Sequence, residues 1–243
     1  VTHNPFLRTE ELPLLLQQLH RYRGHQQTRL GLRLLLLTGV RTGELRSATP
    51  DQFDLERGLW IVPATLVKQL QLTMRKQGMR PQDLQPYIVP LSTQALEVAR
   101  QLLGVVHPSQ RYLLTKRGDL KRPVSENTLN QALKSLGFEG QLTSHGIRAT
   151  IATALNEYGY PKAWIDAQLS YANSEGGGVA YNHAKYVEQR RLMMQDWANR
   201  LDLIEQGIAD VANSSAMKPR VVPQDCGKEE AARVIRLGGG ATI

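Results

Sequence analysis

A chain of 243 residues, 41% hydrophobic, with 30 Lys and Arg against 22 Asp and Glu, is large enough to bury a sizeable core and basic enough to attract a polyanion. No apolar run is long enough to span a bilayer, since the longest, Leu34 to Leu37, lies between Arg33 and Arg41, and the N-terminus lacks a charged-then-apolar secretory layout. The single cysteine, Cys226, excludes an intramolecular disulfide and a cysteine-built zinc site, which predicts a cytoplasmic protein with no membrane partner.

In chain order, Thr9 is the expected cap of a helix that places Leu12, Leu15, Leu16 and Leu19 on one face, with Glu10 and Glu11 in its first turn. A leucine-rich second helix is expected from about Gln26 to Leu37. It stops at Thr38-Gly39, and Gly43 to Ala48 reads as another helical turn before Pro50. The middle changes character. Leu59 to Val62 and Tyr87 to Leu91 are short, β-branched or aromatic, and bounded by glycine or proline, which predicts strands of a small antiparallel sheet. Between them, Thr65 to Gln85 is polar and basic and reads as a long loop. Helices return at Ser92/Thr93 to Leu103, Ser125 to Leu136, Ser144 to Tyr158 and Pro161 to about Ser170; Gly176-Gly177-Gly178 interrupts them, and helical spacing resumes from Val179 to Leu201. The expected class is mainly α with a small antiparallel β-sheet (α+β). It comprises one domain over residues 1–202 and a C-terminal tail over 203–243, partly helical or flexible, with linker-like Asn213-Ser214-Ser215 and Pro219 to Pro223.

The charge is unevenly spread. Between Lys68 and Arg122 ten basic residues (Lys68, Arg75, Lys76, Arg80, Arg100, Arg111, Lys116, Arg117, Lys121 and Arg122) are opposed only by Asp83, Glu97 and Asp119. That excess is nearly the whole net charge of +8. Such a stretch draws nucleic acid with a strong salt dependence, or is simply a solvated basic face. Arg75, Lys76, Lys116, Arg117, Lys121 and Arg122 are its candidate DNA-binding residues.

The chain has no glycine-rich phosphate loop, His-Glu-x-x-His helix, Gly-x-Ser-x-Gly elbow or Cys-x-x-Cys pair, so no cofactor or metal site is expected. What remains are cationic and hydrogen-bonding residues at structural breaks. Arg41 lies in Thr38-Gly39-Val40-Arg41-Thr42-Gly43-Glu44-Leu45, a turn loosened by two glycines, with Glu44 three residues on as an ion-pair anchor. His145 and Arg148 open a helix three residues apart, so both can face one target near a positive helix N-terminus, with Ser144 as the expected cap. Tyr181 follows the glycine-rich break, with Tyr186 as a competitor for any special role. Each motif alone has a plain structural explanation.

In this order the pieces resemble the tyrosine recombinase (phage-type integrase) family, and within it the branch carried by prophages, satellite phages and genomic islands. The resemblance runs from about Val1 to Asp202. The family's first arginine and its acidic partner match Arg41 and Glu44, its His-x-x-Arg box matches His145 and Arg148, and its nucleophile matches Tyr181 within Ala180-Tyr181-Asn182. Leu155-Asn156-Glu157 and the run Glu188-Gln189-Arg190-Arg191 with Met193-Met194 and Trp197 also look like that branch. The family's lysine lies on the turn between sheet strands and matches Lys68, with Lys76 as the alternative because the connection is long. At Tyr171 the sequence departs from the family, which has histidine or tryptophan there.

The resemblance implies metal-free and nucleotide-free phosphoryl transfer to DNA. Tyr181 would form a 3′-phosphotyrosine, Arg41 and Arg148 would clamp the phosphate oxygens, and Lys68 would protonate the departing 5′-oxygen. His145 would accept the tyrosine proton or bond the phosphate, and Tyr171 would support the same oxygens. Implied partners are double-stranded DNA attachment sites and a homo-tetramer on DNA, a monomer in isolation, with accessory DNA-bending or directionality proteins. The resemblance also implies N-terminal DNA-gripping modules that this chain does not include. A type IB topoisomerase and a non-catalytic DNA-binding regulator on the same scaffold are the rival readings.

Overall fold

Leucine spacing in the first third builds the layer on which the rest of the molecule rests. The computed structural model describes residues 4–80, 83–171 and 186–208. Helix α1 (Leu12–His20) buries Leu12, Leu15, Leu16 and Leu19, as their spacing predicts. Thr9 is not its cap. It lies inside a preceding 3₁₀ turn (Thr9–Glu11), where the Glu11 carboxylate accepts the Arg8 N–H at 2.7 Å and does the capping from the other direction. Helix α2 (Gln26–Thr38) is buried along most of its length and packs against five later helices. Gly39 ends it in the left-handed conformation (φ 67°), and its N–H closes on Leu35 O at 2.8 Å. A Cβ at residue 39 would stand 2.6 Å from Leu169 Cδ2, so glycine there serves both the turn and the close approach of residue 169.

A short helix α3 (Thr42–Arg46) follows, then a three-stranded antiparallel sheet of β1 (Phe53–Asp54), β2 (Leu59–Val62) and β3 (Tyr87–Pro90) in that spatial order. Trp60 pairs with Val89 across β2 and β3, stacks on Phe53 with centroids 4.9 Å apart, and donates its indole N–H to Gln52 Oε1 at 3.0 Å. The β2–β3 connection is not the expected loop. It holds helix α4 (Lys68–Gln77), which ends at Gly78 (φ 62°). Val67 and Leu70 are buried and Met74 partly so, and this i, i+3, i+7 stripe is apolar enough to dock a helix that reads as polar on average.

Ser92 caps α5 (Thr93–Gly104) by accepting the Ala95 N–H at 3.1 Å. A β-hairpin absent from the sequence reading comes next: β4 (Thr115–Lys116) and β5 (Asp119–Pro123), turned at Gly118 (φ 79°). Then come α6 (Thr128–Ser135), α7 (Gly146–Glu157), α8 (Lys162–Gln168) and α9 (Val187–Glu205). The expected cap of α7, Ser144, is displaced. Thr143 Oγ1 accepts the Gly146 N–H at 2.9 Å, while the Ser144 N–H donates to Asn130 Oδ1 on α6 at 2.8 Å.

Helix α9 passes through the core. Trp197 is fully buried and donates to Leu36 O at 2.8 Å. Asp196 accepts from Tyr160 OH at 2.7 Å and from Arg200 Nε at 2.9 Å, and the Arg200 guanidinium lies 4.0 Å from the Tyr158 ring centroid. The helix runs through the expected boundary at 202/203 to Glu205. The expected glycine break at 176–178, Tyr181 and the tail from 209 lie outside the described residues. Among the described residues no helix is long and apolar enough to cross a membrane.

Candidate active site

The end of α8 is where distant parts of the chain meet. Three consecutive backbone carbonyls there each accept from a side chain on a different element: Gln168 O from Tyr87 OH on β3, Leu169 O from Arg148 on α7, and Ser170 O from Arg41 Nη2 at the start of α3, the last at 2.7 Å. Arg148 also donates to Gly39 O through its other terminal nitrogen, and its Nε finds no partner among the described residues. Gln168, fully buried, closes the ring by donating its amide to Thr38 O at 2.8 Å.

Arg41 is held by local geometry. It is the N-cap residue of α3, and Glu44 at the third helical position accepts both its backbone N–H (2.7 Å) and its Nη1 (3.2 Å). One carboxylate, only 1% exposed, therefore caps the helix and aims the guanidinium. Arg148 is 2% exposed. Burial lowers its pKa, and the nearby Arg41 charge lowers it further, while Tyr171, Tyr87 and Glu44 oppose the shift.

Tyr171 reaches this place through a strained turn. Ser170 takes φ 52°, a left-handed conformation costing a non-glycine residue about 1–2 kcal/mol, and the Tyr171 N–H then bonds back to Asp166 O at 2.9 Å. The Tyr171 ring centroid consequently sits 5.2 Å from the Arg148 guanidinium carbon.

His145, the N-cap residue of α7, is exposed on the rim. Partial burial lowers its pKa below the usual imidazole value, and the charges of Arg148, Arg41 and Lys68 lower it further, so the ring is neutral at pH 7 and can accept a proton. Lys68 is the first residue of α4 and exposed.

The Phage integrase family profile matches residues 5–188. The chain belongs to that family. Phage integrase relatives include the integrase of Enterobacteria phage P4, 36% identical over 205 residues covering 83% of this chain and 46% of the relative. The integrase of Shigella phage Sf6 and the prophage integrase IntS of Escherichia coli K12 are each 32% identical over 200 residues, covering 82% of this chain and 48% of the relative. The chain thus spans about half the length of these integrases. Two solved structures share its fold. An integrase from mycobacterium phage Brujita has TM-score 0.53 at 15% identity, covering 96% of this chain and 64% of that one. The XerA recombinase has TM-score 0.52 at 16% identity, covering 100% and 68%. Mainly helical architecture with small antiparallel sheets is the tyrosine recombinase catalytic-domain fold, and the chain stands in the prophage integrase branch.

In this integrase-family chain Arg41, Glu44, Arg148 and Tyr171 come together at the end of α8, and the charge of Lys68 is felt at His145 on the rim. Lys76 sits at the other end of α4, about 12 Å along the helix from Lys68. Tyr181 lies outside the described residues. Its competitor Tyr186 is the N-cap residue of α9 at φ 58°, half-buried against the core, with its carbonyl accepting the Arg190 N–H at 2.8 Å. Arg75 and Lys76 are exposed on α4; Lys116, Arg117, Lys121 and Arg122 are exposed on the β4–β5 hairpin.

Two residues of the ring and one behind it carry little local signal in the sequence. Tyr87 read only as a strand residue, yet it is fully buried and burial raises its pKa well above the ordinary phenol value. Gln168 gave one clue, a polar residue between apolar Ala167 and Leu169. Arg190, fully buried behind the ring and donating to Ile88 O at 2.9 Å, stands out in the sequence only as part of a family-like run.

Proposed function

We propose that this chain is the catalytic part of a site-specific DNA recombinase that cuts and rejoins duplex strands through a 3′-phosphotyrosine on Tyr181. The observation that carries this reading is the convergence of Arg41 and Arg148 on adjacent carbonyls, Ser170 O and Leu169 O. Guanidinium donors aimed at closely spaced oxygens suit the non-bridging oxygens of one phosphate, with carbonyl oxygens occupying that role at rest.

In the proposed reaction the Tyr181 oxygen attacks phosphorus, the O–P bond forms, and the P–O5′ bond breaks. A neutral His145 takes the phenol proton, and Lys68 gives one to the departing 5′-oxygen. Lys68 is favoured over Lys76 because its charge is the one that reaches His145. Tyr171 contributes a neutral hydroxyl donor to the same oxygens and a ring that flanks Arg148. The aryl phosphate conserves the bond energy, so a 5′-hydroxyl from another strand reverses the step without nucleotide. The substrates on this reading are duplex attachment sites. The working form is a tetramer on DNA, joined by accessory bending or directionality proteins, and a C-terminal tail follows the catalytic domain, expected over 1–202 and carried by α9 to Glu205.

A nicked suicide duplex that loses its 5′-hydroxyl fragment on cleavage tests the assignment. The parent chain and Tyr186→Phe should trap a covalent DNA adduct, and Tyr181→Phe should bind the duplex but trap none. An adduct in Tyr181→Phe that disappears in Tyr186→Phe would move the nucleophile to Tyr186. A substrate with two sites then separates strand exchange from simple relaxation.

A further inference from the structure

The ten basic residues between Lys68 and Arg122 resolve into two kinds. Each of the three acidic residues in the stretch is taken by a neighbour: Arg80 with Asp83 at 3.3 Å, Arg100 with Glu97 at 4.0 Å, and Arg122 with Asp119 at 3.4 Å. Lys68, Arg75, Lys76, Arg111, Lys116, Arg117 and Lys121 are exposed and make no ion pair among the described residues. The unpaired group is split between α4, which begins with Lys68, and the β4–β5 hairpin with its approach.

The hairpin concentrates them. Lys116 and Arg117 form one side of its Gly118 turn and Lys121 the other, while Arg111 at its foot lies 5.3 Å from the Tyr112 ring centroid. Asp119, the hairpin's one acid, is spent on Arg122 and on the Lys121 N–H at 3.1 Å. The side chains from residue 116 to residue 122 are exposed apart from Asp119, so the core does not account for their composition.

The hairpin is rooted on the arginine motif. The Leu113 N–H donates to Ala48 O at 2.8 Å, and Arg46 Nε, at the last residue of α3, donates to Val124 O at 2.9 Å. Arg41 caps the other end of the same helix, whose five residues span about 7 Å. The two residues from Arg46 to Ala48 and the Ala48–Leu113 hydrogen bond add about 10 Å and four or five strand residues about 15 Å, so the Arg117-Gly118 tip lies within about 35 Å of Arg41. That reach is about one turn of B-form DNA, roughly 34 Å.

We infer that the β4–β5 hairpin is a second DNA-binding element, gripping the phosphate backbone of the same duplex about one helical turn or less from the phosphate held by Arg41 and Arg148. It rests on the reading of DNA as the substrate and deepens it. Lys116, Arg117 and Lys121 supply the grip, and because lysine and arginine on a short turn meet phosphates as charges, it carries no sequence preference.

The test is Lys116→Ala/Arg117→Ala/Lys121→Ala in a Tyr181→Phe background, where binding is read without chemistry, by fluorescence anisotropy on a labelled duplex over roughly 50–200 mM salt. The slope of log K against log salt should fall by about 3, one for each phosphate that the variant no longer neutralises, and affinity should weaken about tenfold or more, equally for attachment-site and random duplexes. Arg100→Ala, exposed but paired with Glu97, is the control and should leave the slope in place. All three hairpin side chains are exposed, so the melting temperature should stay with the parent's; Gln replacements at the same positions guard against a local collapse. An unchanged slope in both triple variants overturns the proposal. So does a loss confined to one DNA sequence, which would mean base reading, or a loss seen on single-stranded RNA but not on duplex DNA. Failure of the unmutated chain to trap an adduct would remove the recombinase reading alone, because the slope is measured without cleavage.

Discussion

Arg148 and Lys116 carry the same charge and meet their surroundings in opposite ways. Arg148 is buried, hydrogen-bonded to Gly39 O and Leu169 O, and flanked by the Tyr171 ring; Lys116 is exposed on a turn with no ion pair among the described residues. A buried guanidinium needs fixed acceptors to remain charged away from water, and those acceptors set its direction before any ligand arrives. An exposed ammonium has no set direction and is useful only as charge. On the proposed reading the pocket is built for geometry and the hairpin for attraction.

The sharpest way to break that contrast is to keep the charge and remove the fork. Arg148→Lys leaves one ammonium that cannot serve Gly39 O and Leu169 O together, so single-turnover adduct formation should fall about a hundredfold to a thousandfold, equivalent to roughly 3–4 kcal/mol. A loss under tenfold would mean that charge alone suffices in the pocket. Next in size is the carboxylate. Glu44→Gln leaves the largely buried Arg41 unpaired, which should cost on the order of 3 kcal/mol and lower Tm by roughly 6–12 °C. Asp119→Asn, cutting the exposed pair to Arg122, should move Tm by no more than roughly 2 °C. Equal shifts in a thermal melt would erase the distinction between the two regions.

The smallest effect is a titration. His145 should titrate by NMR below 6.5 because partial burial and the charges of Arg148, Arg41 and Lys68 disfavour its cation, and Lys68→Met should move it upward. The sign for stability follows. The unfolded imidazole takes its proton first as pH falls, so this group's contribution is intact above about 6.5 and is lost as pH drops through the lower folded value. A Lys68→Met variant with an unmoved His145 would return Lys76 to consideration.

Legibility followed the distance over which the physics acts. Helices α1, α2 and α5 were readable because apolar spacing and the Ser92 cap are local signals, and the Arg41–Glu44 pair was readable because three residues separate the partners. Helix α4 was hidden by its polar average, since Val67, Leu70 and Met74 suffice to dock it. Strand β5 was hidden because Asp-Leu-Lys-Arg-Pro is mostly exposed and has no alternation of apolar residues to betray it. The ring of carbonyls was unreadable for a different reason. Arg148 and Gly39 are 109 residues apart, and Tyr87 and Gln168 are 81 apart, and no spacing rule links such positions.

Two glycines flank Arg41, and they differ in what they permit. Around Gly43 there is open space, and a methyl group added there would touch nothing within 4 Å. Around Gly39 the same methyl would collide with Leu169, while the carbonyl of residue 39 is one of the two that hold Arg148. Residue 39 thus works as a thickness gauge between α2 and the end of α8. One extra carbon at that position would force the halves apart and slacken Arg148 in the same movement, though no charged or proton-carrying group had been altered.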